Sequence, residues 1–485
     1  MSQPARFSFR AACCLVLLSL ALWRVFAVQP AAAQSVQTLK LLPASKTTAT
    51  PLPANATLAA PPPGGELYIA KRGDSVTSVA HHYIGQTSYL TSSELAEAIR
   101  SANGNFSSTF LKAGQQITIP GILPAPIVEK TIPVARDFEV RAIYLTGLMA
   151  GSDHGLRIIR RWREVGGNAV VFDIKDSDGS VNIPFENALL GSHHTPIRDL
   201  PKFVRFLHSE NMHAIARVAI FRDERLVVSH PELAVKSHRT GQPWRENGKL
   251  VWTDPSQPKV QEYDIALARK AAESGVDEVQ FDYVRFPAEG DQKDAGFVFQ
   301  TEHPDWHRSD VITDFLKHAY AALHPTGVLL SLDVFGVMAW QRPVDLSHTG
   351  QDIVNMAKYC DVLSPMIYPS HFFGMDGYDH PGDAPEHFIG ESMNRFELIT
   401  KGSGVVIRPW LQAFHWRTKT YSLDYIKVQV LTAKSKGGIG FLFWNASNDY
   451  SKPYAAMPEM RSAKDKYFRG DELPGTAQAS LAGSH

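Results

Sequence analysis

Residues Glu278–Pro287 read EVQFDYVRFP. Val279, Phe281 and Tyr283 alternate with Gln280 and Asp282, the period-two pattern of a β-strand. The apolar face is expected to meet helices, which turns Asp282 toward an enclosed interior. Working outward, seven other runs have strand character: Val140–Thr146, Ala169–Ile174, Ala214–Phe221, Val328–Val334, Val362–Tyr368, Val405–Phe414 and Ile439–Trp444. Amphipathic helical stretches separate them. One carries Leu156, Ile159 and Trp162 at a spacing of three. Another carries Val311, Ile312, Phe315, Leu316 and Ala319. Strands alternating with helices imply βαβ units and a parallel sheet. Eight strands between residues 137 and 468 predict an α/β fold, a (β/α)8 TIM-type barrel with loop insertions. The alternative is a doubly wound open sheet. No G-x-G-x-x-G follows any strand, which weakens its dinucleotide-binding version.

The chain has 485 residues, of which 44% are hydrophobic and 20% charged, an ordinary globular composition. Its 49 Lys and Arg balance 49 Asp and Glu. That neutrality argues against nucleic acid, whose binders carry a basic excess. It also gives no reason for adsorption to an anionic membrane. A neutral polymer or small molecule is the partner class left open.

Residues 1–33 read as a secretory signal. Arg6 and Arg10 precede the apolar run Ala11–Trp23, and Ala31-Ala32-Ala33 supplies a cleavage site. The run is shorter than the ~20 residues needed to span a bilayer. The alternative is an uncleaved anchor, with Arg24 directly after the run. Export to the periplasm or the extracellular space is therefore expected, with no membrane span in the mature chain. Cys13 and Cys14 lie in the signal, which leaves Cys360, in a strand-like run, to be read as a buried apolar residue. Residues 34–64 are rich in Ala, Pro and Thr and read as a linker. From about Asp471 the chain is a small-residue tail, so residues 469–485 are expected to be flexible.

Residues 65–121 have a different pattern. LYIAKRGDSVTSVAHHY begins with a strand, turns at Gly73-Asp74 and continues as a helix that Asp74 or Ser75 can cap. A second helix over Ser93–Ser101 and a closing strand ending at Pro120 give the order β-α-α-β. Tyr68, Gly73-Asp74-Ser75, Val79-Ala80, Ala102-Asn103, Leu111, Gly114-Gln115, Ile117 and Ile119-Pro120 together resemble a LysM module. The resemblance implies binding to N-acetylglucosamine-containing glycans, chiefly peptidoglycan. The segment that follows is expected to tether the barrel loosely to this module, raising local substrate concentration.

In a barrel the active site lies at the C-terminal ends of the strands. Alternation there places Asp173 and Lys175 with Val171, Arg217 with Ala219, Gln280 with Asp282, and Asp333 with Ser331. It also groups Tyr368 with Ser364, and Trp410 and Gln412 with Arg408. The last strand ends in Trp444-Asn445. Three Asp on strands two, four and five thus converge on one mouth, with Lys175, Arg217 or Arg285 as possible partners. Two carboxylates in different environments are the minimum equipment for glycoside hydrolysis. The faces of Trp410, Trp444 and neighbouring Trp suit stacking on sugar rings, although core packing suits each Trp as well.

FDYVRFP, SLDVFG, LSPMIYPSHF and GGIGFLFWNAS resemble a bacterial family of glycoside-hydrolase-like barrels over most of residues 137–448. That resemblance implies the barrel and a carbohydrate substrate. At the level of topology the chain also looks like α-amylase-type barrels, with a nucleophilic Asp after strand four and a proton donor after strand five. This likeness implies that Asp282 is nucleophile or base and Asp333 the acid, an Asp where that group has Glu. The expected substrate-binding set is Asp173, Lys175, Arg217, Gln280, Arg285, Tyr368, Trp410, Gln412, Trp444 and Asn445.

Other chemistries fit less well. Only His303 and His307 have an i, i+4 spacing, and the intervening residues lack the glutamate of H-E-x-x-H. No G-x-S-x-G elbow or Walker loop occurs. The Asp-rich loop Gly374–Gly390 lacks the order of a calcium loop. No metal and no cofactor are expected, and the chain is expected to be a monomer. The alternatives to a hydrolase are a non-catalytic cell-wall glycan-binding protein with a degenerate barrel, or a metal-dependent polysaccharide deacetylase or amidase.

Overall fold

The computed structural model describes residues 63–462 together with 465, 468 and 469. The expected signal, all but the end of the linker, and the tail beyond residue 469 lie outside the described residues.

In the N-terminal module, β1 (Gly65–Ile69) pairs antiparallel with β2 (Gln116–Pro120). Between them lie α1 (Val76–Tyr83) and α2 (Ser92–Ala102). Ser75 caps α1: its hydroxyl accepts from the Ser78 N–H, and the Ser78 hydroxyl accepts from the Ser75 N–H. The Asp74 carboxylate accepts from the Tyr68 hydroxyl at 2.6 Å. Asn103 donates to the Ile99 and Thr118 carbonyls and accepts from the Thr118 N–H. Gly73 has φ +96°, a conformation that side chains disfavour. The motif residues quoted above are therefore largely those that close this small fold.

The barrel strands are β3 (Val140–Leu145), β4 (Ala169–Lys175) and β5 (His213–Ala219). A short pair, β6 (Lys236–Ser237) and β8 (Ala295–Gly296), lies in the loops flanking β7 (Glu278–Asp282). Then come β9 (Leu329–Phe335), β10 (Val362–Met366), β11 (Val406–Ile407), β12 (Trp410–Gln412) and β13 (Gly440–Trp444). All neighbours in the barrel pair parallel, and β13 returns to β3, so the sheet closes. The run Val405–Phe414 forms one barrel position in two pieces. Pro409, which has no N–H to give to a ladder, stands at the break.

Between strands and helices lies the main core, in which Trp162, Phe172, Phe281 and Phe315 are fully buried. Each such side chain contributes about 1.5–3 kcal/mol by leaving water. Inside the barrel, Val140, Ala142, Val171, Ile215 and Leu442 form a smaller apolar cluster. The barrel floor is ionic. Arg408 donates to both Glu278 oxygens at 2.9 and 2.8 Å, and His213 lies 3.1 Å from the same carboxylate. Burial alone would raise the Glu278 pKa, but Arg408 overrides it and holds the group down at about 2.

The module sits against the barrel. After α3 (Gly147–Ala150), the helices α4 (Asp153–Glu164) and α5 (Leu200–Ser209) supply the contact. The Thr91 hydroxyl donates to Asp153, and Arg160 pairs with Glu94 at 3.3 Å. The buried Lys202 donates to the Ile84 carbonyl at 3.0 Å and the Tyr89 carbonyl at 3.3 Å. Asp153 opens α4 and Lys202 lies in the first turn of α5. In a barrel those helix ends face the same way as the strand C-termini. The connecting segment is pinned as well. Glu129 binds Arg205 at 2.8 Å and His208 at 3.0 Å, and the Ile132 N–H reaches Asp277 at 2.8 Å.

This corrects the expected loose tether. Freeing the segment would strand buried polar groups at about 1–3 kcal/mol each. Lys202→Met removes the donor to two carbonyls and should loosen the module. Limited proteolysis between residues 121 and 136 should accelerate while barrel melting stays the same. Unchanged cleavage would show that Lys202 does not hold the module.

Candidate active site

Arg217, near the end of β5, is the hub of the mouth. Its Nη1 donates to Asp173 Oδ1 at 2.5 Å, and its Nη2 donates to Asp282 Oδ2 at 2.6 Å. Its Nε lies 3.2 Å from Asp282 Oδ2 and 3.8 Å from Asp333 Oδ2. Three strands thus deliver three carboxylates to one guanidinium. The cause is register: Asp173 is opposite Arg217, and Ala219 is opposite Asp282 across the β5–β7 pair. Burial would lower the Arg217 pKa, but Asp173 and Asp282 raise it well above its ordinary value.

The carboxylates differ in environment. Asp282 is 8% exposed and Asp333 only 1%. Asp333 Oδ1 accepts from the Trp410 indole N–H at 2.7 Å, while Oδ2 has no hydrogen-bond partner among the described residues. Burial, and next the charge of Asp282, push the Asp333 pKa well above the carboxylate range. Burial also pushes Asp173 up to about 7, against the opposing pull of Arg217. Asp282 is held by its own backbone. Its Oδ1 accepts from the Tyr283 N–H at 2.6 Å, and Tyr283 has φ +53°. Such a conformation costs about 1–3 kcal/mol in a non-glycine residue and aims the carboxylate.

Of the residues anticipated from sequence, Asp173, Arg217, Asp282, Asp333 and Trp410 meet in this network. Tyr368 and Trp444 pack beside it at 5.8 Å between ring centroids. Gln280 lies one layer deeper and donates to Ser364. Arg285 stacks over Trp252 and Phe335 at 4.8 and 4.4 Å, in the wall of the mouth. Gln412 and Asn445 spend their amides on the backbone of the loops after β12 and β13.

Lys175 departs from the alternation. The pairing between β4 and β5 shifts register between Asp173 and Lys175. Lys175 is fully buried, with Nζ 2.7 Å from Asp264 and 2.9 Å from Asp223. Asp264 belongs to the helix Pro258–Glu273, so this ammonium ties the barrel wall to a helix. It is withdrawn as a residue facing a substrate.

Tyr144 was overlooked in the sequence. Its hydroxyl donates to Asp173 Oδ2 at 2.5 Å, and its ring lies 5.6 Å from the Arg217 guanidinium. Alternation from Val140 through Ala142 to Tyr144 would have located it.

Parallel barrel architecture with several polar side chains gathered at the strand C-termini defines a TIM-type barrel with a polar mouth. The chain belongs to the family described as "Putative glycosyl hydrolase domain", whose sequence pattern matches residues 142–450, and it carries a LysM domain at residues 68–120. Among solved structures, the PgaB (BpsB) glycoside hydrolase domain from Bordetella bronchiseptica is similar with a TM-score of 0.51 and 15% identity. The match covers 67% of this chain and 99% of that one. A hypothetical protein from Ruminiclostridium thermocellum ATCC 27405 is 36% identical, over 40% of this chain and 97% of its own, with a TM-score of 0.35. The spore cortex-lytic enzyme SleL from Bacillus megaterium QM B1551 is 11% identical, covering 82% of this chain and 87% of its own, with a TM-score of 0.41. No curated protein matches the chain. Among the described residues, no helix is long and apolar enough to cross a membrane, and no group of three or more His, Cys, Asp or Glu is placed to hold a metal ion.

Proposed function

We propose that this chain is an exported glycoside hydrolase that cuts a cell-wall polysaccharide, with Asp282 as nucleophile or base and Asp333 as proton donor. Peptidoglycan or another GlcNAc-containing glycan is the proposed substrate, and the LysM domain supports cell-wall association. The observation that carries the reading is the contrast between the two carboxylates. Asp282 is paired with a cation, whereas Asp333 is buried with a raised pKa beside it. Asp333 Oδ2, free of hydrogen bonds, is the atom proposed to hold the proton for the leaving oxygen. Asp282 then attacks the anomeric carbon or takes a proton from water.

Both Oδ2 atoms lie near Arg217 Nε, at 3.2 and 3.8 Å, so their separation cannot exceed the sum of these distances. This bound accommodates the ~5 Å spacing of retaining enzymes and only the lower end of the ~6.5–9.5 Å inverting range. Retention is therefore the favoured outcome.

Product analysis against a polysaccharide panel, including intact and peptide-stripped peptidoglycan, tests the function. No cleavage of any glycan by the pure protein would overturn it. The acid role has its own test. A donor with a raised pKa is protonated at low pH, and activity should fall as pH rises through that pKa. Asp333→Asn should lower kcat by about 10²–10⁴-fold on a natural glycan and much less on an aryl glycoside of the same sugar, whose leaving group needs no proton. Equal losses on both substrates would remove Asp333 from the acid role.

A further inference from the structure

An aromatic path runs outward from the acid cluster. Tyr144, bonded to Asp173, lies 6.4 Å from Trp444, and Trp444 lies 5.2 Å from Phe414. His371 follows at 6.0 Å, then Trp416 at 4.8 Å. The path ends at Arg417, whose guanidinium lies 4.5 Å from the Trp416 ring and 4.0 Å from that of Phe373. Tyr144 and Trp444 stand near the C-terminal ends of β3 and β13, while His371, Phe373, Phe414, Trp416 and Arg417 belong to the loops after β10 and β12, on the mouth side of the barrel.

Arg417 is exposed, and no carboxylate pairs with it among the described residues. The loop is nevertheless held by close backbone contact and hydrogen bonds. Arg417 has φ +47°, and a Cβ at Gly382 would stand 2.1 Å from the Arg417 carbonyl oxygen. Asp383 accepts from the Thr418 hydroxyl at 2.8 Å and from the Lys419 N–H at 2.6 Å, binding the two loops together. A strained backbone and two flanking rings, 77° apart in plane, thus position a guanidinium that pairs with no carboxylate among the described residues. That is a preorganised fork for an oxyanion.

We propose that Arg417 forms an anion subsite for a carboxylate carried on a sugar of the glycan, several rings away from the bond that is cut. This rests on the glycoside hydrolase reading and narrows its substrate class to an acidic glycan. The rings would stack on the intervening sugars while Arg417 sets the register.

The test uses the full chain and three probes: peptide-stripped peptidoglycan strands, the same strands with their sugar carboxylates reduced to alcohols, and strands that keep their peptides. Binding is measured with Asp282→Asn as the background, so that nothing is consumed. Native stripped strands should bind about tenfold tighter than reduced ones, a charge-assisted pair's worth of preference. Arg417→Gln should erase that ratio, and Arg417→Lys should restore part of it. An unchanged ratio in Arg417→Gln overturns the subsite. A preference that appears only for strands that keep peptides also overturns it, because the carboxylate would then be the peptide's. Hydrolysis by the parent protein is scored separately. Cleavage without carboxylate preference sinks the subsite alone, and carboxylate-dependent binding without cleavage sinks the hydrolase reading alone.

Discussion

Asp282→Asn is expected to lower glycan hydrolysis by at least about 10³-fold while the barrel stays folded. The substitution removes the charge that would attack or activate water, yet it keeps the shape. The Asn side-chain oxygen can still accept from the Tyr283 N–H, the bond that aims Asp282 at 2.6 Å. Arg217 keeps its 2.5 Å bond to Asp173. The module, which contacts α4 and α5 and not β7, should bind glycan as before. A secondary effect follows from the coupling. The charge of Asp282 is the second cause of the raised Asp333 pKa, so Asp333 should titrate lower in the variant. Steady-state hydrolysis, circular dichroism and glycan binding together check this. Parent-level turnover by Asp282→Asn would remove Asp282 from the chemistry.

Arg217→Met is expected to destabilise the fold by about 3–5 kcal/mol, the loss seen when one partner of a buried ion pair is removed. Here one cation serves Asp173, Asp282 and Asp333, so the variant strands three acids at once. They can respond only by holding protons, which sets the pH dependence. Without the cation the folded-state pKa values of Asp173 and Asp333, already raised by burial, rise further above the unfolded value of about 3.9. Below that value both states are protonated, and the penalty is small. As pH rises, the unfolded chain releases protons that the folded chain must keep, so stability is lost. Denaturant unfolding of parent and variant at pH 4.5 and pH 8 should show the larger gap at pH 8. Equal gaps, or a loss below about 1 kcal/mol at pH 8, would mean that Arg217 is not the neutralising partner. Arg217→Lys keeps the charge but not the fork and should fall between the two.

These effects depend on features of unequal legibility. The period-two runs placed all eight strand positions, because a strand buried on both faces must still alternate helix-facing and barrel-facing side chains. The Asp282, Asp333 and Asp173 assignments to one mouth followed from the same rule, and Arg217 shares the mouth with them. The rule failed at Lys175, where a register shift puts the side chain against Asp223 and Asp264. Such a shift leaves no mark in the residue pattern, since an inward and an outward Lys read alike. Tyr144 was legible and overlooked. Its strand carries no carboxylate to draw notice, and its hydroxyl matters only because Asp173 lies 2.5 Å away.

The barrel, the small module before it and the inward side of its acids are legible in the residue pattern. Alternation and helical periodicity are local, and a fold made of repeated βα units is a sum of local patterns. The three-dimensional fold alone sets how unequally one arginine meets these acids, at 2.5 and 2.6 Å from Asp173 and Asp282 but 3.8 Å from Asp333. Only it decided that the supposed tether, bound by Asp277, Arg205 and His208, is a strap. Those outcomes depend on which side chains meet from positions more than forty residues apart, where spacing along the chain carries no information about distance in space.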